Sequence, residues 1–227
     1  MQSQQNQFTR SDFRLSEPRR KAATELGDLR FSALLSTQEW MDLPAGIRRR
    51  FSKRLADGNT VIYAGEIVET HMSRAGWCLA QAARLVGAPL PTSRDINVPS
   101  VVTVTEDTAT GGQIWTRLYA RRNGFPQVIN SSKRFSGPTG LEEYIGYGIS
   151  LALTVATEPS ALLFHSAGYF LMFGRWRIRL PRWLTPGALC VTHRELGTHR
   201  FEFKLEVTHP WLGHLIRQVA VFRESVG

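Results

Sequence analysis

From Ser100 to the carboxyl end, apolar and polar residues alternate with a period of two in one segment after another. In HRFEFKLEV, Phe201, Phe203, Leu205 and Val207 fall on one side and Glu202, Lys204 and Glu206 on the other, which predicts a strand with one wet face. In YGISLALTVAT, Tyr147, Ile149, Leu151, Leu153 and Val155 alternate with Gly148, Ser150, Ala152 and Thr154, a strand with one large and one small side. The same period marks Val102 and Val104, GQIWTRLYARR, residues 125–135, ALLFHS, GYFLMFGRWRIRL, ALCVTHREL and HLIRQVAVF. Turn clusters such as EDTATGG separate these segments, so successive strands are expected to pair antiparallel. A sheet of so many twisted strands does not stay flat. The fold class expected is mainly β (α+β): a strongly curved antiparallel sheet or partial β-barrel.

The first hundred residues follow other periods. SRAGWCLAQAARLVG puts Ala75, Leu79, Ala82 and Val86 on one helical stripe, with Ser73 as N-cap and Gly87 as the stop. It predicts one long helix, packed closely on the sheet through its small residues. AGIRRRFSKRL repeats Ile47, Phe51 and Leu55 at four-residue spacing, predicting a short helix with a cationic outer face. Leu29, Phe31, Leu34, Leu35 and Trp40, ahead of the Leu43-Pro44 break, predict a short helical opening, and residues 61–71 read as a strand. Residues 1–27, rich in Gln, Ser, Arg and Lys, read as a flexible leader, leaving 28–227 as a single β-rich domain.

Composition adds a constraint on partners. With 42% hydrophobic residues the chain can bury a real core, while its formal charge of +9 attracts phosphates, acidic proteins and anionic lipid. The two cysteines, Cys78 and Cys190, stand far apart with no Cys or His at ligand spacing, so they announce neither a disulfide framework nor zinc. The amino terminus lacks an apolar secretory core, and the longest apolar run, 167–173, is far short of the ~20 residues of a spanning helix. A cytoplasmic location is the simplest expectation.

The chain carries no Walker loop, Rossmann fingerprint, HExxH or GxSxG. No cofactor and no metal is predicted from its scattered histidines, and His165 reads as a core histidine. The ligand-binding candidates are Trp115, Arg117 and Tyr119, which share one side of a strand, together with Glu143. If that side faces the concavity, Arg117 needs a carboxylate or a bound anion to offset its desolvation, and Glu143 could serve. Adjacent Glu142 points to the opposite face, so the two do not form an acid/base pair. Arg48, Arg49 and Arg50, with Arg175, Arg177 and Arg179, are candidates for contact with an anionic surface. In FGRWRIRLPRWL the side held by Tyr169, Leu171 and Phe173 passes to arginines after Gly174, which predicts a bulge or sharp bend there.

The segments WMDLPAGIRRRF, VPSVVTVTED, IWTRLYA, GLEEYIGYGISLAL, GRWRIRLPRWLTPGA and FEFKLEVTHPWLGHL together resemble the bacterial family of the domain of unknown function 4166, over about residues 28–222. The family-like positions are Trp115, Arg117, Glu143, Gly174, Leu180, Pro181, Leu184, Pro186, Pro210 and Gly213. Most are turn or packing types, so the resemblance implies a shared scaffold more than a shared reaction, and it brings no activity across. Fusion of some members to NAD(P)-binding modules implies a place beside small-molecule metabolism. Three readings follow. The first is a module binding a small, partly apolar or lipid-like ligand with an anionic group. The second is an enzyme using Glu143 and Arg117 in the same cavity. The third is a peripheral protein on anionic membrane surfaces. Nucleic acid ranks last, because the basic clusters lack a recognition fold.

Overall fold

A computed structural model describes residues 27–224 apart from 54, 56–58, 88 and 198. The leader expected at 1–27 lies, but for Gly27, outside the described residues. Among those described are three α-helices, α1 (Thr37–Asp42), α2 (Ala45–Phe51) and α3 (Arg74–Ala83). The strands are β1 (Val61–Met72), β2 (Val98–Asp107), β3 (Gly112–Tyr119), β4 (Gln127–Arg134), β5 (Glu142–Gly146) and β6 (Ile149–Glu158). They continue as β7 (Ala161–Phe173), β8 (Trp176–Arg179), β9 (Ala188–Gly197), β10 (Arg200–His209) and β11 (Gly213–Glu224).

The sheet is mainly β and antiparallel, as the alternation predicts, but it is a closed barrel rather than a partial one. Ten strands form the ring, in the order β1 to β7 and then β9, β10 and β11, with β11 pairing back on β1. Each strand thus neighbours its successor in sequence, and the ring closes by joining the first strand to the last, from Tyr63 opposite Glu224 to Met72 opposite Ile216. Closure removes both edges and creates an interior. β8 stays outside the ring, paired only with the end of β7. GYFLMFGRWRIRL is therefore two strands of a hairpin, turned at Gly174 in the left-handed region (φ 56°), and not one strand with a bulge. A bulge does occur earlier, where β7 shifts register against β6 between Ser166 and Gly168. It lets Leu162, Phe164 and Tyr169 all face inward despite their uneven spacing.

The two barrel ends are closed differently. At the end where β6 meets β7, the amino-terminal segment forms a plug: Phe31, Leu43, Ile47 and Phe51 pack on Leu141, Leu153, Leu162 and Phe164. Ser36 and Glu39 form a capping box that starts α1, and Pro44 precedes α2. Arg50 ties α2 to the wall. It donates from Nε to His193 Nε2 (2.8 Å) and from Nη1 to Glu224 (2.6 Å), also pairs with Glu195, and lies over the Phe201 ring.

At the opposite end α3 crosses the mouth. Ser73 caps it and Gly87 follows in the left-handed region (φ 98°), but it is ten residues long and ends in a 3-10 turn, so it is not the long helix expected. Gly76 brings it against β11, where a Cβ would meet the Leu215 carbonyl at 2.0 Å. No helix among the described residues is long and apolar enough to cross a membrane.

His193, not His165, is the buried histidine; His165 is exposed. Burial first, and Arg50 second, hold His193 well below its ordinary pKa of 6.5. The folded state therefore binds fewer protons than the unfolded one below about pH 6.5, and this contribution to stability is present above that pH and lost as pH falls. Stability is expected to drop from pH 7 to pH 5 by at most about 1.4 kcal/mol per unit from this group. The pH series of urea unfolding for His193→Gln should be flatter over that window. An unchanged slope would clear His193 of the effect.

Candidate functional site

Alternation decides which side chains reach the barrel interior, and the register decides which of them meet. Lys133, Glu143, Leu151 and Tyr169 form one lateral row across β4, β5, β6 and β7. Val102, Arg117 and Ile129 form another across β2, β3 and β4. Between plug and mouth these rows enclose a cavity of about 430 Å³. Its wall is mostly apolar, with Ile129, Leu151, Val191, Phe203, Leu205 and Ala220 among the residues that line it.

Polar groups gather at its floor. Glu143 Oε1 accepts from Ser131 Oγ (2.6 Å) and faces Arg117 Nη2 (3.4 Å), while Oε2 accepts from Lys133 Nζ (3.1 Å). Arg117 Nη1 donates to Ser131 Oγ (3.0 Å). Lys133 lies behind the carboxylate against the rings of Trp115 and Phe164. Burial pushes the Glu143 carboxyl up, but Lys133, Arg117 and the Ser131 hydroxyl outweigh it and bring its pKa down to about 2. Burial pushes the Lys133 amine down from its ordinary pKa, against the pull of Glu143, so Arg117 and Lys133 compete for one carboxylate. Tyr119, Tyr169 and Gln218 add polar groups to the lining, and burial pushes both phenols' pKa values up.

The sequence-selected residues separate here. Arg117, Tyr119 and Glu143 line the cavity. Trp115 does not; it lies below the floor, packed on Phe203 and donating to Gln113. Glu142 points outward and pairs with Arg177, which leaves Arg177 less free for an outside anion than its strand position suggests. Arg50 is turned inward, with 4% of its side chain exposed, and Arg49 pairs with Glu224. Arg48 donates to Met41 Sδ. Arg175 and Arg179 are exposed. Lys133, Ser131, Tyr169 and Gln218 escaped the sequence reading. In QVINSSKR the inward positions Ile129, Ser131 and Lys133 turn polar, so the alternation that marks other strands disappears where the site begins.

The mouth has a side opening. β9 pairs with β7 only along residues 161–165 of β7; beyond that, the same edge of β7 takes β8 instead. The connector from β8 to β9 fills the gap, and its Leu180, Trp183, Leu184 and Pro186 line the cavity. Trp183 and Leu184 are also 69% and 56% exposed, so they form an entrance.

A family model described as domain of unknown function (DUF4166) matches residues 43–222. The chain belongs to that family. The DUF4166 match takes in α2, the ring, the floor cluster and the mouth, so plug helix and cavity are parts of one family unit. No curated protein and no solved structure matches the chain. Of the family-like positions, Gly174, Leu180, Pro181, Leu184, Pro186, Pro210 and Gly213 lie at or beside the mouth of the DUF4166 barrel.

Glu143→Gln leaves two buried cations without their counter-ion and is expected to cost about 3 kcal/mol of stability. Because the groups share one network, Lys133→Met/Glu143→Gln should lose less than the sum of the single variants. Urea denaturation of all three checks this; strict additivity would deny the coupling.

Proposed function

We propose that the DUF4166 barrel binds one small amphipathic anion, with the acidic group innermost at Arg117 and an apolar body running towards the mouth. The observation supporting this most is that two basic side chains, Arg117 and Lys133, share the single carboxylate of Glu143 at the floor of an otherwise apolar cavity. A buried cation without full compensation favours a ligand that brings the missing charge. The volume falls within the range of small-molecule sites. Tyr119, Tyr169 and Gln218 offer hydrogen bonds to a carboxylate or phosphate, and the apolar wall favours an alkyl or ring body.

A reaction at Glu143 is the weaker reading. A carboxylate held near a pKa of 2 by two cations is a poor proton acceptor at neutral pH.

Thermal unfolding with long-chain carboxylates and with alcohols of equal length tests the reading. The acids should stabilise the protein more than the alcohols. Arg117→Met should weaken acid binding about tenfold or more, since a charge-assisted contact is lost, and Ala220→Phe should remove both by filling the cavity. Equal stabilisation by acid and alcohol, untouched by Arg117→Met, would remove Arg117 from the site.

A further inference from the structure

The register places the connectors 73–97, 120–126, 147–148, 174–187 and 210–212 at the mouth end of the barrel. These segments contain nine arginines and one acid, Asp95. The hairpin loops at the opposite end, 108–111, 135–141, 159–160 and 198–199, contain no Lys, Arg, Asp or Glu. Among the loops that join strands, charge is thus concentrated on one end and almost all positive, while at the other end the plug carries Arg30, Arg48, Arg49, Arg50 and Lys53 together with Asp28, Glu39 and Asp42.

Apolar exposure is heavier at the mouth end, although Leu29, Met41 and Leu196 are exposed at the other. Of six tryptophans, Trp77, Trp176, Trp183 and Trp211 belong to the mouth end and are 47%, 64%, 69% and 82% exposed. Leu85 and Leu212 stand with them, at 82% and 58%. Tyr147, in the turn between β5 and β6, holds a left-handed backbone (φ 51°) and is 74% exposed. Such exposure at one end is more than the scattered apolar surface of a soluble face requires.

We infer that the mouth end is a docking face for an anionic phospholipid bilayer. Arginines attract the headgroups, tryptophans suit the interface, and Leu85 and Leu212 gain by entering the acyl boundary. A single-stranded nucleic acid would meet the charge and the rings but give these leucines nothing to pack on. The face also surrounds the entrance at Trp183 and Leu184, so a ligand passes between bilayer and cavity without crossing bulk water. This source for the ligand rests on the binding reading above; the docking itself does not. It differs from the surface expected from sequence, because Arg48, Arg49 and Arg50 lie at the opposite end.

Flotation with phosphatidylcholine vesicles, with and without phosphatidylglycerol, tests the inference. The protein should float with the anionic vesicles, less so as salt rises, and not with phosphatidylcholine alone. Trp211→Ser/Leu212→Ser and Arg175→Glu/Arg179→Glu should each weaken flotation about tenfold or more, with unchanged melting temperatures. None of these four residues lines the cavity, so carboxylate binding in solution should survive. Conversely, Ala220→Phe should keep flotation while losing the ligand, which separates failure of docking from failure of the binding reading. Absence of flotation at low salt, flotation that ignores both rim variants, or retention on single-stranded polynucleotide in place of vesicles would each overturn the docking face.

Discussion

The pairing of β1 with β11 is the constraint on which the rest depends. The other ring pairings follow the chain from strand to strand, nearly all across short connections. Among the strand pairings, closure alone joins residues separated by most of the sequence, and loop entropy makes such a contact dependent on what it encloses. It turns one face of ten strands into an interior. Once the interior exists, a side chain there must be apolar, paired or liganded. The plug, the floor cluster and the cavity are three answers to that requirement at successive depths.

Those answers differ in cost. The plug satisfies its depth by aromatic packing, with Phe31 set edge-on to Phe51 and Phe135. The floor retains two cations and one carboxylate, an arrangement that apolar residues of similar size often replace without loss of stability. Under the proposed function, its presence in an apolar barrel serves to recognise an anion rather than to add stability. Above the floor, space is left unfilled. The wall is split between β7 and β9, and a connector rather than a strand covers the split, so the closed ring has an opening at one end.

Much of the barrel is legible in the sequence because one face of each strand is buried. HRFEFKLEV shows this directly, and the inward set containing Arg117 and Tyr119 follows from the same period. Closure is not legible, since alternation says which face is inside but not which strands are partners. The floor is only half legible: Arg117 interrupts an otherwise regular strand, whereas Lys133 hides in a strand whose inward residues are polar. His193 was missed because its burial comes from α2, brought to it by the tertiary fold through Arg50. Gly174 announced a break but not its kind. Reversal into β8 and a bulge both use a glycine, and only pairing distinguishes them.

A crystal structure of the protein with a long-chain carboxylate tests the central claim most directly. The account predicts one molecule inside the barrel, its carboxylate within hydrogen-bond reach of Arg117 and its chain directed towards Trp183. A ligand held outside the ring, or one lying with its carboxylate at the mouth arginines and its chain against Glu143, would contradict it.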